Sequence, residues 1–464
     1  MASTTSPTTS DFADLRAVLA ARSGTQPGDW FPVFKARYGM QVVFDALRAV
    51  RGEGSVLTQL FTCCTAVDPI LVSGLKPRYA DISADTLAID ERGASEMFVR
   101  LGVGDVQSRA YIAGLGTGHK DGCADGGKAD ESASDLDESL KYANDAKHDG
   151  KSEPTSDSGG SVESIHAVML QHTFGLIDDA SSRKLAEFTH NHGALLVEDS
   201  AHCVTRLACD TDGTPLADIS IHSFGVEKML PTRFGGAIWL NPELKTSDPK
   251  LDAEIRRRFA ALAEPSKHLD KVTRIYINEN RVLSRLGGLG GKLRTKLTNA
   301  GWYEPPISAK EQQGGLEYQP MTLTPWIAER AVDGINALDA NEAARRAVVD
   351  KYREAFANVE GLRIPQTVLE SDPAPLLRFP LFARDTQSAE RIIAAARQAG
   401  GYAERWYRPE LFPGATDTAV YGVGSLDRST VPVTNRAVST CLCLPTELGD
   451  ETVEHVIAAV LKAI

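Results

Sequence analysis

Three short runs constrain this chain more than anything else in it: "HAVMLQHTFG", "GALLVEDSAH" and "DISIHSFG". Each is apolar at consecutive positions, bounded by polar residues or glycine, and therefore suited to burial on both faces. The segment "DDASSRKLAEFTHNHG", with helical character, lies between the first two. Doubly buried strands that alternate with helices imply an α/β fold with a mainly parallel sheet and helices on both faces.

The same pattern extends outwards. In "FPVFKARYGMQVVFDALRAV" the apolar residues Val42, Val43, Ala46, Leu47 and Val50 recur at helical spacing, with Gly39 read as the helix start. "VLTQLFTCCTAVDPILVSGLKPRYADIS" reads as strand, helix and a strand near 77–82. After Pro320, "GINALDANEAARRAVVDKYREAFANV" predicts one long helix and "LLRFPLFA" a strand. The final "GDETVEHVIAAVLKAI" predicts an amphipathic helix with Asp450 as N-cap. These last elements make a small α+β C-terminal domain.

At 464 residues, more than one lobe is expected. Residues 1–29 read as a disordered polar tail and 30–245 as the large domain. Residues 246–320 read as a basic helical connector and 321–464 as the small domain. Within the large domain, 114–162 hold eleven Asp or Glu and five Lys with almost no large apolar side chains, so this insertion is expected to be disordered. Residues 255–296 hold eleven Lys or Arg against three acids. Solvated helix faces around a flexible "LGGLGGK" account for that most simply; attraction of an anionic partner, either a substrate diphosphate or an acidic membrane surface, is the alternative not favoured.

A net charge of −12 argues against nucleic acid as partner. No apolar run is long enough to span a bilayer, and the start of the chain lacks the pattern of a secretory signal. The seven cysteines show neither zinc-finger nor thioredoxin spacing, consistent with reduced thiols in a cytoplasm.

In an open parallel sheet, ligands gather beyond the carboxyl ends of the strands. One such end carries Asp199, followed by Ala201 and His202; another carries Ser223, followed by Lys228 in the next loop. The segment Gly39, Met40 and Gln41 offers free backbone N–H groups for a phosphate. A carboxylate, a lysine and an anion cradle together suit pyridoxal 5'-phosphate. The lysine forms a Schiff base, the carboxylate keeps the pyridine nitrogen protonated, and a hydroxyl such as Ser223 takes the phosphate.

"VEDSAH" followed by "SFGVEKMLPTRFGGAIWL" resembles the aspartate and lysine motifs of the DegT–DnrJ–StrS aminotransferases, pyridoxal-phosphate enzymes of fold type I. The likeness extends over roughly 33–245 and 320–464, without the insertion. It implies Lys228 as the Schiff-base lysine, Asp199 as the partner of the pyridine nitrogen and Ser223 as a phosphate ligand. It places Ala201 against the ring and His202 near the phenolic oxygen, with Gly39, Met40 and Thr62 also around the cofactor. It further implies a homodimer that moves an amino group from a donor such as glutamate to a small-molecule carbonyl, in many relatives a nucleotide-linked keto-sugar. Relatives with histidine in place of the lysine are sugar dehydratases; Lys228 favours transamination over that lyase chemistry.

The chain departs from the family pattern at Tyr38-Gly39-Met40, where "S-G-T" is usual, and at Cys63, where an aromatic residue usually stacks on the ring. It departs again at Arg233-Phe234, in place of "G-E", and lacks the "N-x-R" signal near Met321. The rebuilt helix start and Cys63 favour a non-catalytic relative, while the retained Lys228 with Asp199 opposes that reading. Arg233 itself could clamp a carboxylate or phosphate bidentately, or be an ordinary surface arginine.

Overall fold

The computed structural model describes residues 12–103 and 163–464. All of the 114–162 insertion and the first eleven residues lie outside these, so the expectation of disorder there is not addressed. The rest of the expected tail is ordered. Helix α1 (Ala13–Ser23) buries Leu15 and Leu19 completely, each worth roughly 2 kcal/mol. It packs on a helix more than 300 residues away in sequence, so its order comes from tertiary contact.

Among the described residues ten strands follow in chain order: β1 (Trp30–Val33), β2 (Ser55–Thr58), β3 (Lys76–Tyr79), β4 (Ile165–Gln171), β5 (Leu195–Asp199), β6 (Ile219–Ser223), β7 (Gly236–Leu240), β8 (Leu362–Arg363), β9 (Arg378–Ala383) and β10 (Cys441–Pro445). Seven form one sheet in the order β1-β7-β6-β5-β4-β2-β3. Strands β2 to β6 pair in parallel, while β7 runs antiparallel to β6 and β1 antiparallel to β7. The mainly parallel expectation holds, with an antiparallel edge.

Side chains on β4 and β5 alternate between two apolar cores. Ala167, Met169 and Val197 face helices α2 (Ala36–Arg51) and Pro249–Ala260. Val168, Leu170 and Leu196 face the helices Glu91–Arg100 and Asp179–Asn191. That two-sided alternation makes these runs continuously apolar.

Beyond β7, helices Lys267–Arg285 and Gly287–Asn299 pair as a hairpin, so the glycine-rich "LGGLGGK" is largely helical rather than a flexible link. The expected single long helix is two, Pro325–Asn336 and Leu338–Phe356. The first buries Ile327, Ala331 and Ile335 in the core that also receives α1. The second packs with Thr386–Gln398 and Asp450–Ala463 around the three-stranded antiparallel sheet β10-β9-β8. Gly449, with extended backbone, is the N-cap of that last helix; Asp450 sits in its first turn instead. There its charge still complements the helix dipole.

Candidate functional site

A cavity of about 420 Å³ opens where strands β2, β4, β5 and β6 end. The sheet order explains its position. Strands β5 and β6 are neighbours in parallel register, with Asp199 opposite Ile221, so Asp199 and Ser223 emerge at the same edge. Thr62, Asp199, Ala201, His202, Ser223 and Lys228 all line the cavity, as does Met40. Gly39 does not.

That exception corrects the expected anion cradle. Helix α2 begins at Ala36, not Gly39, and Lys35 is its extended N-cap. Gly39 lies in the first turn facing β7, where a β carbon would come within 2.5 Å of Ile238 Cγ1. Its missing side chain serves close packing of α2 on the sheet. The free N–H groups at the cavity belong to the first turn, near Ala36 and Arg37.

Lys228 sits in a closed loop between β6 and β7. The Phe224 N–H donates to the Gly235 carbonyl at 2.9 Å, and Thr232 Oγ1 donates to the Phe224 carbonyl at 2.6 Å, pinning the two ends of the loop together. The Lys228 ammonium lies 5.6 Å from the centre of the Trp406 ring, and it makes no hydrogen bond or ion pair among the described residues. Burial pulls its pKa below the usual lysine value, against the pull of Cys63 and Asp199.

Asp199 is buried at the end of β5, where Oδ1 accepts the Ala201 N–H at 3.0 Å. Burial pushes its carboxyl above the usual range, because that one bond and the more distant Lys228 do not offset the lost water. Ser223 Oγ accepts the Gly225 N–H at 3.3 Å, which leaves its own proton free to donate. Thr62 donates its hydroxyl proton to Gln171 Oε1, and Gln171 in turn donates to Thr173 Oγ1 at 2.8 Å.

His202 is committed within the protein. Its Nδ1 accepts the Phe174 N–H at 2.9 Å, so Nε2 carries the proton and meets Tyr407 Oη at 3.1 Å. Burial holds the imidazole well below its ordinary pKa and therefore neutral. It stacks on Trp406 at 5.5 Å between centroids. His202 thus borders the cavity while positioning two aromatic walls of it.

Those walls escaped the sequence reading. Trp406, Tyr407 and Phe412 come from a loop of the C-terminal region, and only the aromatic and proline content of "RWYRPELFP" hints at them. Also missed were the cations at the start of α2. Lys35 pairs with buried Glu304, and Arg37 pairs with buried Glu311 at 2.6 Å. Cys63 lines the cavity with Sγ 3.0 Å from Thr65 Oγ1.

Residues 324–461 match the DegT/DnrJ/EryC1/StrS aminotransferase family. The solved structures agree on the fold of the whole chain. An aminotransferase, TlmJ, from Streptoalloteichus hindustanus has 19% identity and a TM-score of 0.58, covering 98% of this chain and 90% of its own. The PMP form of a putative sugar aminotransferase, Spr1654, from Streptococcus pneumoniae has 16% identity and a TM-score of 0.61, covering 99% of this chain and 92% of its own. NtdA from Bacillus subtilis, with bound cofactor PMP, has 14% identity and a TM-score of 0.60, covering 99% of this chain and 78% of its own. No curated protein matches the sequence. The fold is therefore that of these solved aminotransferases, and the family resemblance is borne out over residues 324–461.

The cavity residues fit the cofactor of that family. Asp199 is a buried carboxylate whose charge is only partly offset, as a protonated ring nitrogen requires.

Proposed function

We propose that the chain is a pyridoxal-phosphate-dependent aminotransferase that moves an amino group from an amino-acid donor, such as glutamate, to a keto-sugar or related carbonyl compound. The observation that carries this reading is the pair Asp199 and Lys228. They line one cavity, each shifted by burial against its charged form and with no ion pair to each other. Bound pyridoxal phosphate supplies an electron sink that stabilises negative charge at the carbon bearing the amino group.

The protein's own part follows from its side chains. Lys228 Nζ is the attachment point, and burial lowers its pKa, which eases loss of the proton from the amine that must accept and return one. Asp199 holds the ring nitrogen in its protonated form. Ser223 and the N–H groups at Ala36 and Arg37 bind the phosphate, and Ala201 covers a face of the ring. Tyr407 and Trp406, held by His202, close the opposite side and limit water. A homodimer is part of this proposal, as is action in the cytoplasm; among the described residues no helix is long and apolar enough to cross a membrane.

A second reading, a relative that has lost catalysis, is favoured by the cations at the cradle: Lys35 and Arg37 already hold carboxylates. One experiment separates the two. Purified protein is given pyridoxal phosphate, its absorption recorded, borohydride added and the peptides mapped. The aminotransferase reading requires a reduced adduct on Lys228, and glutamate added before borohydride must abolish it by releasing the lysine. An adduct that forms but ignores every amino donor supports the second reading.

A further inference from the structure

Four cationic side chains line the cavity: Lys35, Arg37, Lys228 and Arg233. Two are neutralised within the protein. Lys35 is held by Glu304, and Arg37 by Glu311 together with the Pro306 carbonyl at 3.1 Å. Lys228 is assigned to the chemistry above. Arg233 is half-buried, and its guanidinium has no hydrogen-bond or ion-pair partner among the described residues.

The backbone at Arg233 sharpens the question. Its φ is +71°, in the left-handed region that suits glycine and strains a residue with a β carbon. The conformation is imposed by the closed loop, in which Gly225 and Arg233 form a bridge and Thr232 is tied to Phe224. Glycine would fill the position at less cost. A strained residue whose guanidinium has no partner among the described residues, at a cavity wall, points to a ligand outside the chain.

We propose that Arg233 is an oxyanion-binding side chain of this cavity, for a carboxylate or phosphate group on a bound small molecule. Its planar fork suits either group bidentately. The inference deepens the aminotransferase reading by giving the ligand an anionic group, yet oxyanion binding does not require catalysis. Two sources share this chemistry, the phosphate of the cofactor and a carboxylate on the donor or substrate.

The test is calorimetric titration of wild type, Arg233→Gly and Arg233→Lys with three probes. They are pyridoxal phosphate, glutarate on the pyridoxal-phosphate-loaded protein, and glutarate or inorganic phosphate on the protein alone. Arg233→Gly is expected to weaken at least one probe roughly 10- to 100-fold while its melting temperature holds or rises, because glycine relieves the backbone. Arg233→Lys should recover only part of the affinity, since a point charge lacks the fork. Loss confined to pyridoxal phosphate identifies the cofactor's phosphate as the source. Loss on glutarate with the loaded protein identifies a carboxylate.

Affinities within twofold of wild type in Arg233→Gly overturn the proposal. So does a lower melting temperature without loss of binding, which would make the side chain structural. A wild-type protein that binds no probe overturns it as well. If wild type binds glutarate or phosphate through Arg233 but never takes up pyridoxal phosphate, the oxyanion site stands and the aminotransferase reading fails.

Discussion

Gly236 lies so close to Ala36 that a β carbon on it would come within 2.8 Å of the Ala36 Cα and backbone nitrogen. The first residue of β7 and the first turn of α2 therefore touch backbone to backbone, which fixes the proposed phosphate cradle relative to the Lys228 loop. Neither backbone can give way cheaply. Gly236→Ala should cost about 1–3 kcal/mol of stability by overpacking and also weaken pyridoxal phosphate by displacing the α2 N–H groups. Chemical denaturation together with cofactor titration checks both. Unchanged affinity would mean that this contact does not set the cradle.

Asp199 predicts a trade between stability and function. Its folded pKa is raised by burial, so the ionised carboxylate costs stability near neutral pH when nothing cationic sits beside it. Asp199→Asn removes that charge with little change in shape. The cofactor-free variant should be more stable by about 1–3 kcal/mol. Its affinity for pyridoxal phosphate should fall roughly 10- to 150-fold, the range of a charge-assisted hydrogen bond. Melting curves of the free and loaded proteins read both signs. A variant less stable without cofactor would show that Asp199 is a structural acceptor only.

Cys63 and Cys64 bear on the departure from the family's stacking aromatic. Hydrogen bonding from the Cys64 thiol, with help from Thr65, holds the Cys63 thiol below its ordinary pKa although burial opposes this. Cys203, Cys441 and Cys443 are shifted upwards by burial. Iodoacetamide at neutral pH should therefore alkylate Cys63 at least roughly tenfold faster than those three, because the thiolate is the nucleophile. Pyridoxal phosphate should protect it, since Cys63 faces the cavity. Mass spectrometry of the peptides decides; modification that ignores the cofactor would place the bound ring elsewhere.

The strands around this site were legible because Ala167 and Met169 must be apolar for one core while Val168 and Leu170 must be for the other. Two-sided burial leaves a continuous signal in sequence. The pair Asp199 and Lys228 was legible for a different reason: both lie just beyond strand ends, where an open sheet collects ligands. The start of α2 was not legible. Gly39 looked like the break before a helix, but it lacks a side chain because Ile238 packs on it. The real start at Ala36 has no capping side chain to announce it. Likewise α1 follows a polar, threonine-rich segment, and its order depends on Leu15 and Leu19 meeting a distant core. Glu304 and Glu311 were hidden by distance too, since nothing local links them to Lys35 and Arg37.

Beneath the site, a buried polar chain makes the fold sensitive to acid. His222 Nδ1 accepts the Thr205 N–H at 3.2 Å, and its Nε2 meets Ser220 Oγ at 3.1 Å. Ser220 donates to Glu198 Oε2 at 2.6 Å, and His172 Nε2 lies 2.6 Å from Glu198 Oε1. Burial pulls the His222 pKa down to about 4 from an ordinary 6.5. Between those values the unfolded chain binds a proton that the folded chain does not, so stability falls as the pH drops from 6.5 towards 4. The difference in pKa corresponds to about 3 kcal/mol. His202, also lowered by burial, adds to the loss in the same direction. Urea unfolding at pH 7.5 and pH 4.5 should show this loss in wild type. His222→Asn cannot take up the proton in either state, so its stability should drop by about 2 kcal/mol less over the same interval. Parallel losses in the two proteins would mean that His222 is not the group being titrated.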